Sequence, residues 1–154
     1  MDYLVFKWVH ILSSTILFGA GVGSAFHLLA ATLGRDTAGV AQATRTVVLA
    51  DWLFTTPTAI LQPLTGVWLV HLMGLPLSTP WIAASLVLYA IAMACWLPVL
   101  WLQLRLRDIA AQALREDSRL PRAYWRFFAW WVGLGFGGLF SFLAIFWLMV
   151  SKRA

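Results

Sequence analysis

The stretch Trp52–Leu104 reads WLFTTPTAILQPLTGVWLVHLMGLPLSTPWIAASLVLYAIAMACWLPVLWLQL. It runs for 53 residues without a single Asp, Glu, Lys or Arg. A helix needs about 20 apolar residues to cross the hydrocarbon core of a bilayer, so one crossing cannot use up this stretch. It is punctuated once, by Gly74-Leu75-Pro76-Leu77-Ser78-Thr79-Pro80, a Gly/Pro/Ser cluster of the kind that makes turns. Two membrane helices joined by a short loop are the direct reading.

On either side of it, Trp8–Gly34 is uncharged over 27 residues and Phe127–Ser151 over 25. The expectation is therefore four spans, at about 3–33, 43–73, 81–107 and 123–150, in a single membrane domain covering 1–154. Arg105-Leu106-Arg107-Asp108 should carry the third helix beyond the membrane as an extension over about 105–118. The fold class is all-α, an integral membrane four-helix bundle. Only helices and closed barrels satisfy every backbone group in lipid, and four segments cannot close a barrel. Composition agrees: of 154 residues 62% are hydrophobic and only 11% charged. Soluble domains carry about 25% charge. A cytosolic enzyme, a disordered chain and a disulfide scaffold are excluded, the last because Cys95 is alone. The N-terminal apolar run is of full membrane length, unlike the short core of a cleavable signal.

The net charge of +5 follows the positive-inside rule and not nucleic-acid binding. Eight of the eleven basic residues, Arg35, Arg45, Arg105, Arg107, Arg115, Arg119, Arg122 and Arg126, fall at one end of the spans. Lys7, Lys152 and Arg153 fall at the other. Both termini are thus expected on the non-cytoplasmic side.

At 100° per residue, the His10 face of span one carries Ser13, Ser14, Leu17, Gly21, Ser24 and Leu28. Gly19-x-x-x-Gly23 and Gly133, Gly135, Gly137 and Gly138 match the small-residue pattern of close helix contacts, and suggest a homo-oligomer. In span two, Asp51, Thr55, Thr58, Gln62 and Thr65 repeat at intervals of four and three, a polar stripe. A carboxylate in a span costs a few kcal/mol and should face protein. Arg45, Arg105 and Arg107 share its level, so a charge clamp between spans two and three is one expectation and a solute path along the stripe is the other. Pro57 and Pro63 can kink this helix and shift its phase.

All three histidines lie in or beside spans. His10 and His71 have matching depths near one face, which makes them the candidate axial pair for a haem iron. On a regular helix His71 projects away from the stripe, so only a proline kink would turn both inward. His27 lies 17 residues beyond His10 and about 100° around the helix, off that seam. No Cys/His group has zinc spacing, no phosphate-cradling glycine loop is present, and the His10/Ser13/Ser14 group lacks a third member to orient a nucleophile.

Lys7-Trp8-Val9-His10-Ile11-Leu12-Ser13-Ser14, Arg45 through Asp51-Trp52-Leu53-Phe54-Thr55, Gln62-Pro63-Leu64-Thr65-Gly66 and Cys95-Trp96-Leu97-Pro98 through Gln103 together resemble a bacterial membrane family known as domain of unknown function 2269, which implies a place in a bacterial inner (cytoplasmic) membrane. More distantly, Lys7-x-x-His10 and Thr55-Thr56-Pro57 with Gly66 resemble HemJ-type protoporphyrinogen oxidases and CopD-like membrane proteins. That resemblance implies haem b held by His10, and it implies nothing for the third span. There the Trp-Leu-His-x-Lys-Leu motif of HemJ-type proteins is replaced by Trp81-Ile82-Ala83-Ala84-Ser85-Leu86. Two function classes stay open. One is a b-type haem protein in electron transfer, a haem-dependent membrane oxidoreductase, with His10 and His71 on the iron and quinone or a periplasmic electron carrier as partner. The other is a cofactor-free transport, copper-handling or assembly component using Asp51, Thr55, Thr58 and Gln62.

Overall fold

A computed structural model describes residues 1–152; Arg153, counted above with the basic residues, lies outside the described residues. The helices are α1 (Asp2–Leu33), α2 (Thr37–Ala50), a π turn (Asp51–Thr55), α3 (Thr56–Leu72), α4 (Pro80–Arg115) and α5 (Arg122–Ser151). α2, the π turn and α3 run on as one rod, Thr37–Leu72, so four helices are long and apolar enough to cross a membrane. The described residues contain no strand.

Local chemistry sets the ends. The second helix starts at Thr37, six residues before the expected 43, because the Asp36 carboxylate accepts the Gly39 N–H at 2.8 Å and caps it. The third starts at Pro80, whose missing N–H costs nothing in a first turn. It ends at Arg115, inside the expected extension to 118. There Asp117 turns left-handed (φ 48°) and the Ser118 N–H bonds back to Ala113 O at 2.9 Å. At 1.5 Å per residue α4 spans about 54 Å, well beyond a hydrocarbon core of about 30 Å.

Lipid tails are as apolar as leucine, so burial of apolar surface does not hold such helices together; close packing and interhelical hydrogen bonds do. Large apolar side chains accordingly cover the outside, Trp8, Trp52, Phe140 and Trp147 among them. The close-packed core sits at the arginine-rich end, where Leu28, Val40, Val47, Leu102, Leu106 and Tyr124 are buried together. On α5, Tyr124, Phe128 and Trp131 stack in series, with ring centroids 6.1 and 5.8 Å apart.

α4 packs along α5, and α1 along α3, whereas α1 and α5 barely touch. They meet at Thr32–Tyr124, where the hydroxyls are hydrogen-bonded at 2.9 Å, and at Phe18–Phe146, edge to face at 5.3 Å. Between these points the two helices part.

Candidate functional site

The site begins at the π turn. Pro57 has no N–H to return to the carbonyl four residues back, which weakens the α-helical ladder there. The Thr56 N–H instead reaches Asp51 O, five residues back. Such single π turns often mark functional positions. Here it buries both Asp51 and Thr55. The Thr55 hydroxyl donates to Asp51 Oδ1 at 2.8 Å. Asp51 Oδ2 is buried without a hydrogen-bond partner, although the buried Gln103 side chain of α4 lies against the carboxylate.

A polar seam follows α3 from there. Thr58 and Thr65 are buried and Gln62 half-buried, so the stripe read from the sequence faces protein. The Gln62 amide donates twice to α1, to His10 O at 2.8 Å and to Ser13 Oγ at 2.6 Å. Tyr89 of α4 donates to Ala59 O and fixes the other flank. At the far end His10 Nδ1 lies 2.8 Å from Thr65 Oγ1. The Thr65 hydroxyl proton goes to Leu61 O, 2.7 Å away in its own helix, so Oγ1 is left to accept. With the hydroxyl proton placed on Leu61 O, His10 would donate through Nδ1–H and leave the Nε2 lone pair free. Gly66 makes this approach feasible, because a Cβ there would stand 3.2 Å from His10 Cε1.

Where α1 and α5 part, a cleft of about 350 Å³ opens beside the seam. Its floor holds Asp51, Thr55 and Gln103, and its walls include Phe18, Trp96, Trp131 and Phe142. Gly21, Gly135 and Gly138 line it too, and a Cβ at any of them would meet nothing within 4 Å. Trp131 Nε1 is a second buried polar atom without a partner.

Residues 4–153 match the family model described as a predicted integral membrane protein, DUF2269. The chain belongs to this family. No curated protein and no solved structure matches it. Membership of DUF2269 agrees with four membrane helices and leaves the activity to be read from the site.

In this DUF2269 chain the candidate residues sort by contact. His10, Gln62 and Thr65 come together, as do Asp51 and Thr55 one end of the seam away. His71 does not join His10. It is exposed beside Trp68, with ring centroids 5.8 Å apart. Six residues past Thr65 it stands about 240° further round the helix, and the prolines do not turn it back. His27 is exposed as well. Arg45 and Arg105 are exposed and bring no charge to Asp51; Arg105 lies over the Trp101 ring at 5.5 Å. Among the described residues the ion pair is Arg107–Asp108, within α4. The expected charge clamp between spans two and three does not form: neutral Gln103 of α4 lies against the carboxylate instead, and the arginine heads stay at the surface. Among the described residues no three His, Cys, Asp or Glu side chains gather closely enough to hold a metal ion.

Gln103 and Trp131 are the site residues that pattern reading did not select. Each belongs to an apolar helix with no polar periodicity, and only the rotation of α4 and α5 in the bundle brings it to Asp51's cleft.

Proposed function

We propose that this membrane protein is a transport component, whose solute engages the seam between α1 and α3 and enters through the cleft at Asp51. One observation carries the reading: a carboxylate buried in a span, at the edge of an open cleft, keeps an oxygen without a hydrogen-bond partner. Buried unpaired polar atoms are costly in a membrane, and intramembrane acids commonly mark substrate or ion paths. The seam links this acid to the imidazole of His10 near the opposite face. With the arginine-rich end in the cytoplasm of a bacterial inner membrane, Asp51 is the inner end of the path and His10 the outer. Gly19 and Gly23 have no atom within 4 Å of a Cβ position, which leaves that face of α1 for lipid or a second copy.

Single cysteines at Thr55, Thr58 and Gln62, in a Cys95→Ala background, test the path in membrane vesicles. A small membrane-impermeant methanethiosulfonate should modify all three, and faster than a cysteine at lipid-facing Leu64. Protection of all three, with a loop cysteine reacting normally, would overturn the reading.

One observation favours a second reading, a b-type haem on His10. Ligating imidazoles generally have their other nitrogen held by a hydrogen bond, and Thr65 holds Nδ1 of His10 while Nε2 stays free. The donor set fits one axial bond and does not fit a His10–His71 pair. Haem would supply one-electron chemistry, with quinone or a periplasmic electron carrier as partner. His10, Thr65 and Gly66 would position it. Oxidised and dithionite-reduced spectra of the purified protein test this: a reduction-sensitive Soret band lost in His10→Ala supports haem, and a colourless protein after haem supplementation excludes it.

A further inference from the structure

We propose that the cleft between α1 and α5 binds a lipophilic organic cation, an amine on an apolar body, with its charge on Asp51. The proposal rests on the transport reading and names the class of solute.

Asp51 is 4% exposed, and its Oδ2 has no partner. No Lys, Arg or His is among the residues lining the cleft, so no basic side chain described there pairs with the carboxylate. Removing one partner from a buried pair is strongly destabilising because a charge remains uncompensated. A buried acid held by the neutral Thr55 and Gln103, with no base beside it, is therefore suited to a ligand that supplies one. The walls fit the same ligand. Phe18, Trp96, Trp131 and Phe142 line it, and aromatic rings attract cations most strongly once both are desolvated. At about 350 Å³ the space falls within the range for small-molecule sites, about 300–1,000 Å³.

The route is equally specific. Phe18–Phe146 and Thr32–Tyr124 join the helices above and below, so the gap between them opens sideways past Val22, Phe26 and Phe136, all exposed toward lipid. A molecule dissolved in the bilayer reaches Asp51 by this route, while the seam that the transport reading opens to water leads onward from it. Trp131 Nε1, 94% buried by residue and unpartnered, further favours an amine with an ether or carbonyl oxygen nearby.

The full-length protein in lipid nanodiscs is dialysed against radiolabelled 4-phenylbutylamine or its uncharged N-acetyl derivative, with empty nanodiscs subtracted. Saturable amine binding at least about tenfold tighter than that of the N-acetyl compound is expected, about 1.4 kcal/mol. Asp51→Asn should remove the preference. Gly138→Leu, which fills the cleft where a Cβ meets nothing, should abolish binding of both compounds. The amine preference of the wild-type protein tests the proposal even where Asp51→Asn fails to fold. Equal binding of the two compounds, lost in Gly138→Leu, would overturn the cation class and leave the cleft as the transport entry. Absence of saturable amine binding would overturn the proposal; the cysteine reactivity at Thr55, Thr58 and Gln62 then judges the transport reading separately.

Discussion

Replacing Gln62 by Leu should loosen α1 from α3 by an amount the hydrogen bonds define. Both amide hydrogens are used, on His10 O at 2.8 Å and Ser13 Oγ at 2.6 Å. Interhelical bonds in membranes average about 0.6 kcal/mol and reach about 1.7. Losing two should cost about 1.2 kcal/mol, with an upper bound near ~3.4. Ser13→Ala removes one of the two and should cost about half as much. The bond they share is deleted in either single variant. Combining them should therefore cost less than the sum by the energy of that bond, about 0.6–1.7 kcal/mol. His10 O retains the Ser13 hydroxyl at 3.1 Å in Gln62→Leu, which keeps the penalty from rising further. The assay is reversible unfolding in mixed micelles, titrated with dodecyl sulfate and followed by far-UV circular dichroism, on the four proteins of the cycle. Single-variant costs that add to within about 0.3 kcal/mol would show that Gln62 and Ser13 do not bond, and would remove the tie that fixes the seam.

Gly137→Ala sets a Cβ 3.0 Å from Cys95 Sγ and should cost about 1–3 kcal/mol in the same titration. Cys95→Ala should restore most of that loss, and a failure to do so would place the strain elsewhere. Thr65→Val removes the acceptor for His10 Nδ1–H, so nitrogen-15 spectra should change from one imidazole tautomer to a mixture; an unchanged spectrum would refute the assigned proton position. In a Cys95→Ala background, cysteine at Lys152 should react with an impermeant maleimide in spheroplasts, and cysteine at Arg115 only after lysis. The reverse pattern would invert the membrane orientation.

The spans were legible because charge is so costly in hydrocarbon that its absence over 25 or more residues leaves few alternatives. The buried stripe of Asp51, Thr55, Thr58 and Thr65 was legible from spacing alone, since residues three and four apart share a helix face. Contacts between helices were not. Matching depth made His71 look like a partner for His10, but depth is set by counting residues and direction by rotation, and His71 points elsewhere. The arginines at the level of Asp51 misled for a related reason: a long cationic side chain can reach water or an aromatic face, as Arg105 does over Trp101, more cheaply than it can enter the bundle. The π turn left no periodic signal beyond the nearby Pro57. The glycines signalled closeness, yet only Gly66 and Gly137 have an interhelical neighbour; Gly21, Gly135 and Gly138 instead make the cleft.

The direction of the hydroxyl protons separates a solute path from a proton wire. A relay requires each group to pass a proton to the next, and along this seam the protons turn back. Thr58 donates to Phe54 O at 2.5 Å, Thr65 to Leu61 O, and Ser13 to His10 O. Thr55 donates to Asp51, and the described residues show no bond joining Thr58 to Gln62. Conduction by side chains alone would have to break several good hydrogen bonds together. Asp51 Oδ2, Trp131 Nε1 and His10 Nε2 are different, because the oxygen and the imidazole nitrogen can accept from a ligand, and the indole N–H can donate to one, without giving up a bond. Proteoliposomes carrying this protein should therefore hold an imposed pH gradient, read with an internal pH dye, as long as empty liposomes do when no amine is present. A faster collapse that Asp51→Asn prevents would make the proton the transported species and would remove the need for a solute at the cleft.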